Sequence, residues 1–250
     1  MTALGGRVAL VTGAGRGIGR AAALALAAEG AQVVVASRTA AEGEETASLI
    51  REAGGAAVFA RTDLARPEQI DALFDLARRT FGPVTVAFNN AGLQERRVAL
   101  GAAAPEIYAR VFDVNVRALL LCMQREIGDM IESGGGVIVN NASVSGTRNP
   151  NPGLALYCAS KAAVISLTRS AAMEYGPRNI RVNAVSPGRV RTAMMLASGI
   201  ADMSEVARGL PLRRLGEPEE VAAAVVWLAS PASAFVTGHV LAVDGGFLAQ

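Results

Sequence analysis

Basic residues other than arginine are almost absent from this 250-residue chain: of its 24 Lys plus Arg a single one is lysine, Lys161, and the one histidine is His239. A Ser-His or Cys-His nucleophile therefore has one possible base, in a strand-like context near the C-terminal end, and hydrolase readings fall accordingly. Cysteine is equally scarce. Cys122 lies in an apolar helical stretch and Cys158 beside Tyr157, a usage that fits a reducing cytoplasm better than a disulfide framework and leaves no metal site to expect. Hydrophobic residues make up 51% of the chain, yet no unbroken apolar run reaches the roughly 18 residues that span a bilayer. Met1 to Arg7 has no basic segment leading into an apolar one, so no signal peptide and no membrane association are expected. A net charge of +2 with dispersed arginines lacks the footprint of nucleic-acid binding.

What the chain does contain is centred on Tyr157-Cys158-Ala159-Ser160-Lys161. Tyr and Lys at this spacing lie one turn apart on the same helix face, so phenol and ammonium can converge. Because the chain uses Arg wherever a positive surface charge suffices, its lone Lys marks a place for a compact, tunable ammonium. A unit charge about 4 Å from a phenol, at an effective dielectric near 20, is worth roughly 4 kcal/mol, or about three pKa units before desolvation. Tyr157 is thus expected to exchange a proton near neutral pH. Alternatively the pair is only an aromatic ring packed on a lysine stem.

The run Arg7 to Val11 reads as a buried strand, followed by Thr12-Gly13-Ala14-Gly15-Arg16-Gly17-Ile18-Gly19 and an Ala-rich helix ending at Gly30. Strand, glycine turn and helix form the context in which backbone N–H groups at a helix N-terminus meet a pyrophosphate. Ile18 stands where the general dinucleotide fingerprint has its last glycine. The pattern T-G-x-x-x-G-x-G with Tyr157-x-x-x-Lys161 instead resembles the short-chain dehydrogenase/reductase family, from about Arg7 to Gly246.

The resemblance implies one doubly wound, Rossmann-type α/β domain over residues 1–250, with a seven-stranded parallel sheet of order 3-2-1-4-5-6-7 and helices on both faces. It also implies a nicotinamide cofactor and a catalytic set that falls on Asn115, Ser143, Tyr157 and Lys161. The cofactor would meet Thr12, Gly13, Gly15, Arg16, Gly17, Ile18 and Gly19, then Asp63 and Leu64 beside the adenine, and Asn90, Ala91 and Gly92. Pro187, Gly188, Val190 and Thr192 would grip its carboxamide, while Tyr157 and Lys161 would hold the ribose. At the end of the second strand Ser37 replaces the acid usual for NAD and Arg38 supplies a positive charge, with Arg16 assisting. NADP is therefore expected rather than NAD. Arg38 as a solvated loop charge is the competing reading.

A long helix from about Pro105 to Ile131 carries Asn115, a poor mid-helix residue that calls for a local reason. Family resemblance makes it a helix perturbation holding a water next to Lys161; the plainer alternative is a buried amide satisfied by neighbouring backbone. Ser143 is preferred over Ser145 because it precedes x-x-Gly. The step of fourteen from Ser143 to Tyr157 places an extra residue in Asn149-Pro150-Asn151-Pro152-Gly153, a loop expected at the substrate entrance. Residues 193–214 are expected to form a mobile lid, whose Met194, Met195, Leu196, Ile200 and Met203 could be core or could face substrate. The helix opening at Tyr157 is apolar on more than one face, which with the resemblance implies a homotetramer.

The expected activity is NADP-dependent transfer of hydride between nicotinamide and a small carbonyl or secondary alcohol, in the cytoplasm, with Tyr157 as general acid/base. Two alternatives stand beside it: a 3-oxoacyl thioester reductase, and a non-catalytic dinucleotide sensor or scaffold on the same fold.

Overall fold

The computed structural model describes every residue except Met1, Pro150, Asn151, Ser198, Gly199 and Ala201. Strands and helices alternate along the first half of the chain: β1 (Val8–Thr12), α1 (Gly17–Ala28), β2 (Gln32–Ser37), α2 (Ala40–Glu52), β3 (Ala57–Arg61), α3 (Pro67–Thr80) and β4 (Val86–Asn89). Then come α4 (Pro105–Phe112), α5 (Ala118–Glu132), β5 (Gly136–Asn141), α6 (Ala155–Tyr175) and β6 (Ile180–Pro187). Two short helices, α7 (Ala193–Leu196) and α8 (Met203–Arg208), lead to α9 (Pro218–Ala229) and β7 (Val240–Val243).

All strands are parallel, in the order β3-β2-β1-β4-β5-β6-β7. This is the doubly wound arrangement the family resemblance implied. Strands covered on both faces need apolar residues at odd and even positions alike, which is why VALVT and QVVVAS are continuous rather than alternating runs. Val8 and Leu10 face a core completed by α3, α5 and α6, whereas Ala9 and Val11 face one completed by α1, α2 and α9. The strand order reverses between β1 and β4, and the loops beyond their carboxyl ends open a crevice there.

Several boundaries differ from the sequence reading. The helix expected over Pro105 to Ile131 is two helices joined by a π-helical segment, Asp113–Arg117, centred on the buried Asn115. β4 begins at Val86 rather than Val84, because the Val84 N–H is taken by Asp129 Oδ2 at 2.9 Å instead of by a neighbouring strand. β6 continues to Pro187, carried by its pairing with β7. α6 starts at Ala155, so Tyr157 lies inside the first turn rather than at its edge.

Candidate active site

A cleft of about 310 Å³ runs across the carboxyl ends of the strands, from Ser37, Arg38 and Asp63 to Ser143, Tyr157 and Lys161. At its centre the glycine turn is fixed by sterics. Gly13 and Gly17 hold φ of 64° and 55°, and a Cβ on Gly19 would stand 2.3 Å from the Gly13 carbonyl oxygen. Helix α1 has no acidic residue in its first turn and no side-chain cap, so its leading N–H groups and positive end face the cleft uncompensated. A pyrophosphate fits that donor set. Gly13, Gly15, Arg16, Gly17 and Ile18 line the cleft.

Thr12 and Gly19, expected beside them, lie behind the wall. The Thr12 hydroxyl accepts the N–H groups of Asn90 (3.0 Å) and Ala91 (3.1 Å). Asn90 completes the tie: its amide donates to the carbonyls of Thr12 and Gly13 and accepts from Asn141 Nδ2 at 2.9 Å, which joins the ends of β1, β4 and β5. Asn90, Ala91 and Gly92 themselves face the cleft.

At the end near β2 and β3, Ser37, Arg38, Asp63 and Leu64 line the wall as the sequence suggested. Sequence reasoning missed Glu42. A Cβ on Gly15 would stand 2.7 Å from Ser37 Oγ and 3.3 Å from Glu42 Oε2, and Arg16 Nη1 lies 3.6 Å from Glu42 Oε1. Arg16 therefore has an acidic partner, whereas Arg38 forms no ion pair among the described residues. An acid three positions into a helix after Ser37-Arg38 carries no motif that would have revealed it.

At the other end Tyr157, Lys161 and Ser143 converge. Burial pushes the Tyr157 phenol above its ordinary range and a hydrogen bond with the Ser143 side chain pulls it back. The lowering expected from Lys161 is not what the protein groups produce: Lys161 Nζ stands 5.8 Å from the Tyr157 ring centroid and donates to the Asn141 carbonyl at 2.6 Å. Burial draws the Lys161 ammonium down to about 8. Ser145, the competitor of Ser143, interacts with Cys158 instead. Gly146 lets this turn close on α6, since a Cβ there would stand 2.7 Å from the Lys161 carbonyl carbon.

The Asn115 side chain is buried and bonded to backbone and to one side chain. Its Oδ1 accepts from Leu93 N–H at 2.8 Å, and its Nδ2 donates to the Leu93 carbonyl and to Ser160 Oγ, both at 2.9 Å. It is absent from the cleft wall, where Val114 appears instead. Asn115 Oδ1 and Lys161 Nζ nevertheless lie 3.3 and 3.4 Å from the point where a Gly92 Cβ would stand.

Pro187, Gly188, Val190 and Thr192 line the cleft after β6, and the Thr192 hydroxyl caps α7 by accepting from Met195 N–H at 3.2 Å. Of the five apolar residues left open between core and substrate, Met194 and Met195 face the cleft, and Leu196, Ile200 and Met203 do not. Ser198, Gly199 and Ala201 of the expected lid lie outside the described residues, as do Pro150 and Asn151 of the expected entrance loop. Leu154, just past that loop, faces the cleft, while Pro152 and Gly153 bond to Arg97 and Val98.

The family described as Enoyl-(Acyl carrier protein) reductase matches residues 13–248. The chain is 38% identical to the short chain dehydrogenase/reductase astE of Aspergillus oryzae, over 97% of this chain and 95% of that protein. It is 42% identical, over the whole of both chains, to the 2,5-dichloro-2,5-cyclohexadiene-1,4-diol dehydrogenase of Sphingobium indicum. Among solved structures, 7 alpha-hydroxysteroid dehydrogenase complexed with NADH and 7-oxo glycochenodeoxycholic acid superposes with a TM-score of 0.93 at 33% identity, over 97% of this chain and 94% of that one.

Proposed function

This chain belongs to the short-chain dehydrogenase/reductase family and is an oxidoreductase of nicotinamide dinucleotides; from that premise we propose that it interconverts a ketone and a secondary alcohol with NADP, using Tyr157 as general acid and base. The observation that carries the reading is the Tyr157 phenol, hydrogen-bonded to Ser143 and faced by Lys161, at one end of a cleft whose other end carries Ser37 and Arg38.

When bound, the dinucleotide supplies or takes up the hydride. Gly13, Gly15 and Gly17 would admit its pyrophosphate to the head of α1, and Arg38 would meet the 2′-phosphate that distinguishes NADP. Backbone at Pro187 to Val190 and the Thr192 hydroxyl would orient the carboxamide. In reduction, Ser143 Oγ donates a hydrogen bond to the carbonyl oxygen as negative charge develops there. Tyr157 Oη then delivers the proton to that oxygen. Lys161 places a positive charge on the side of the site where this phenolate forms. Asn115 holds Leu93 and Ser160, and so the floor beneath Lys161.

We assign residues 1–250 to a single domain, with residues 193–214 as its lid and Met194 and Met195 excluding water. The exposed apolar side chains Leu120 and Ile131 on α5 and Met173 on α6 support a homotetramer, and the scarce, buried cysteines support a cytoplasmic location. The test follows oxidation of NADPH and NADH with a panel of cyclic and acyclic ketones. Turnover with NADPH preferred is the expected result; dinucleotide binding without turnover of any ketone would favour the scaffold reading.

A further inference from the structure

The ends of β4 and β5 are joined by two asparagine pairs in succession. The backbone ladder between these strands stops at Asn89 and Asn140. There Asn89 Nδ2 donates to Asn140 Oδ1 at 3.1 Å, and Asn140 Nδ2 donates in turn to Thr168 Oγ1 of α6 at 3.0 Å. One residue further, past the end of the ladder, Asn141 Nδ2 donates to Asn90 Oδ1 at 2.9 Å. The peptide between Asn141 and Ala142 gives its N–H to the Val185 carbonyl of β6 at 2.9 Å, so its carbonyl points the other way, toward β4. No strand N–H meets that carbonyl there, and Lys161 Nζ donates to it at 2.6 Å.

The direction of the amides is forced. Asn90 Nδ2 donates to the carbonyls of Thr12 and Gly13 at 2.9 and 3.2 Å, so its oxygen faces Asn141, and Asn141 must offer its nitrogen. That leaves Asn141 Oδ1 buried without a donor among the described residues. A buried acceptor without a donor costs stability, so this side chain is a poor choice for holding the sheet alone. Close packing of Gly146 fixes the main chain of Lys161. The ammonium is another matter: Lys161 is 4% exposed, makes no ion pair among the described residues, and has the Asn141 carbonyl as its one hydrogen-bond acceptor there.

We propose that Asn141 is a positioning residue for Lys161: its amide, tied to Asn90 beyond the end of the ladder, aims the main-chain carbonyl that holds the ammonium beside Tyr157. The tie runs on through Asn90 to the carbonyls of Thr12 and Gly13, so the glycine turn and the ammonium share one chain of hydrogen bonds. A hydrogen bond weakens steeply with angle, and a swing of the Asn141 peptide would leave a buried cation unpaired. The effect of Asn141 on turnover rests on the reading of Lys161 as the partner of Tyr157; the placement of the ammonium does not.

Lys161 is the only lysine in the chain, so protein labelled with carbon-13 at lysine Cε gives one lysine resonance, whose titration reads this ammonium alone. Burial draws the group from 10.5 to about 8, and a hydrogen bond to its charged form opposes that fall. Asn141→Val keeps the strand and the main-chain carbonyl and removes the amide, and Asn141→Thr serves as a second variant. In the dinucleotide-free protein the titration midpoint should fall in each variant by at least about 0.5 pH unit. Ketone reduction should lose about 10-fold or more in kcat, with KM and dinucleotide affinity held within about 3-fold. A residue that merely braced the sheet would lower the melting temperature and leave the midpoint in place. An unmoved midpoint in either folded variant overturns the proposal, and so does a wild-type midpoint at the ordinary 10.5, which would show an ammonium not held in the buried site. A midpoint that falls while turnover keeps its wild-type rate upholds the positioning and contradicts instead the part given to Lys161 in proton transfer.

Discussion

The backbone N–H of Tyr157 donates to Glu95 Oε1 at 3.1 Å, and the N–H of Leu156 donates to the same oxygen at the same distance. Helix α6 has no cap of its own, since Leu154 occupies the N-cap position. A carboxylate from the loop after β4 does the work instead, at the positive end of a 21-residue helix. The first turn, which presents the phenol, is thereby locked to the loop that carries Arg97.

Glu95→Ala should lower unfolding stability by about 1–2 kcal/mol, the cost of a lost cap. Glu95→Gln keeps an acceptor oxygen and should recover part of that loss. Because the Glu95 charge raises the Tyr157 pKa, either variant should also move the fall of reductase activity with rising pH to a lower pH. Denaturant melts and pH–rate profiles check both, and a Glu95→Ala protein unchanged in melt and profile would show that the contact is incidental.

The proposed NADP preference leans on Arg38, which forms no ion pair among the described residues. Arg38→Asp should reverse the ratio of kcat/KM for NADPH over NADH, by a few kcal/mol if a charge-assisted contact becomes a repulsion. Glu42 makes the wild-type ratio informative in itself, because it pairs with Arg16 and removes part of that residue's assistance. A wild type that already prefers NADH would mean that Glu42 serves the ribose and that Arg38 is a loop charge.

Local signals made most of this fold legible. Strand-turn-helix with glycines at 13, 15, 17 and 19 placed the head of α1, apolar runs placed the strands, and Asn115 within an apolar helix marked the site of the π-helical segment. What was not legible is non-local. Nothing beside Leu154 says that α6 begins at Ala155, because its cap comes from Glu95. Thr12 looks like a phosphate-loop residue, yet its hydroxyl faces Asn90 and Ala91, a geometry set only when β4 joins β1.

Glu126 was likewise invisible in sequence. It is fully buried in α5, accepts from Asn89 Nδ2 at 2.9 Å, and burial raises its carboxyl to about 8, with the Asp129 charge adding to the rise and the Asn89 bond opposing it. The folded state thus holds a proton that the unfolded chain releases near pH 4.5. Its contribution is fully present below that pH and is lost as pH rises through about 8, with a slope of at most about 1.4 kcal/mol per pH unit. Glu126→Gln, which is neutral at every pH, should flatten the decline in Tm between mildly acidic and alkaline buffers. Parallel curves for variant and wild type would place the proton elsewhere.

The most direct measurement is single-turnover reduction by Tyr157→Phe, with dinucleotide affinity measured alongside. The substitution removes one hydroxyl and keeps the half-buried ring, so the fold and the cleft should persist. Ketone reduction should fall by roughly 10²- to 10⁴-fold, the usual range for a lost general acid, while the dinucleotide binds within a few-fold of wild type. A variant that binds the dinucleotide and reduces ketones at a near-normal rate would contradict the assignment of the proton to Tyr157.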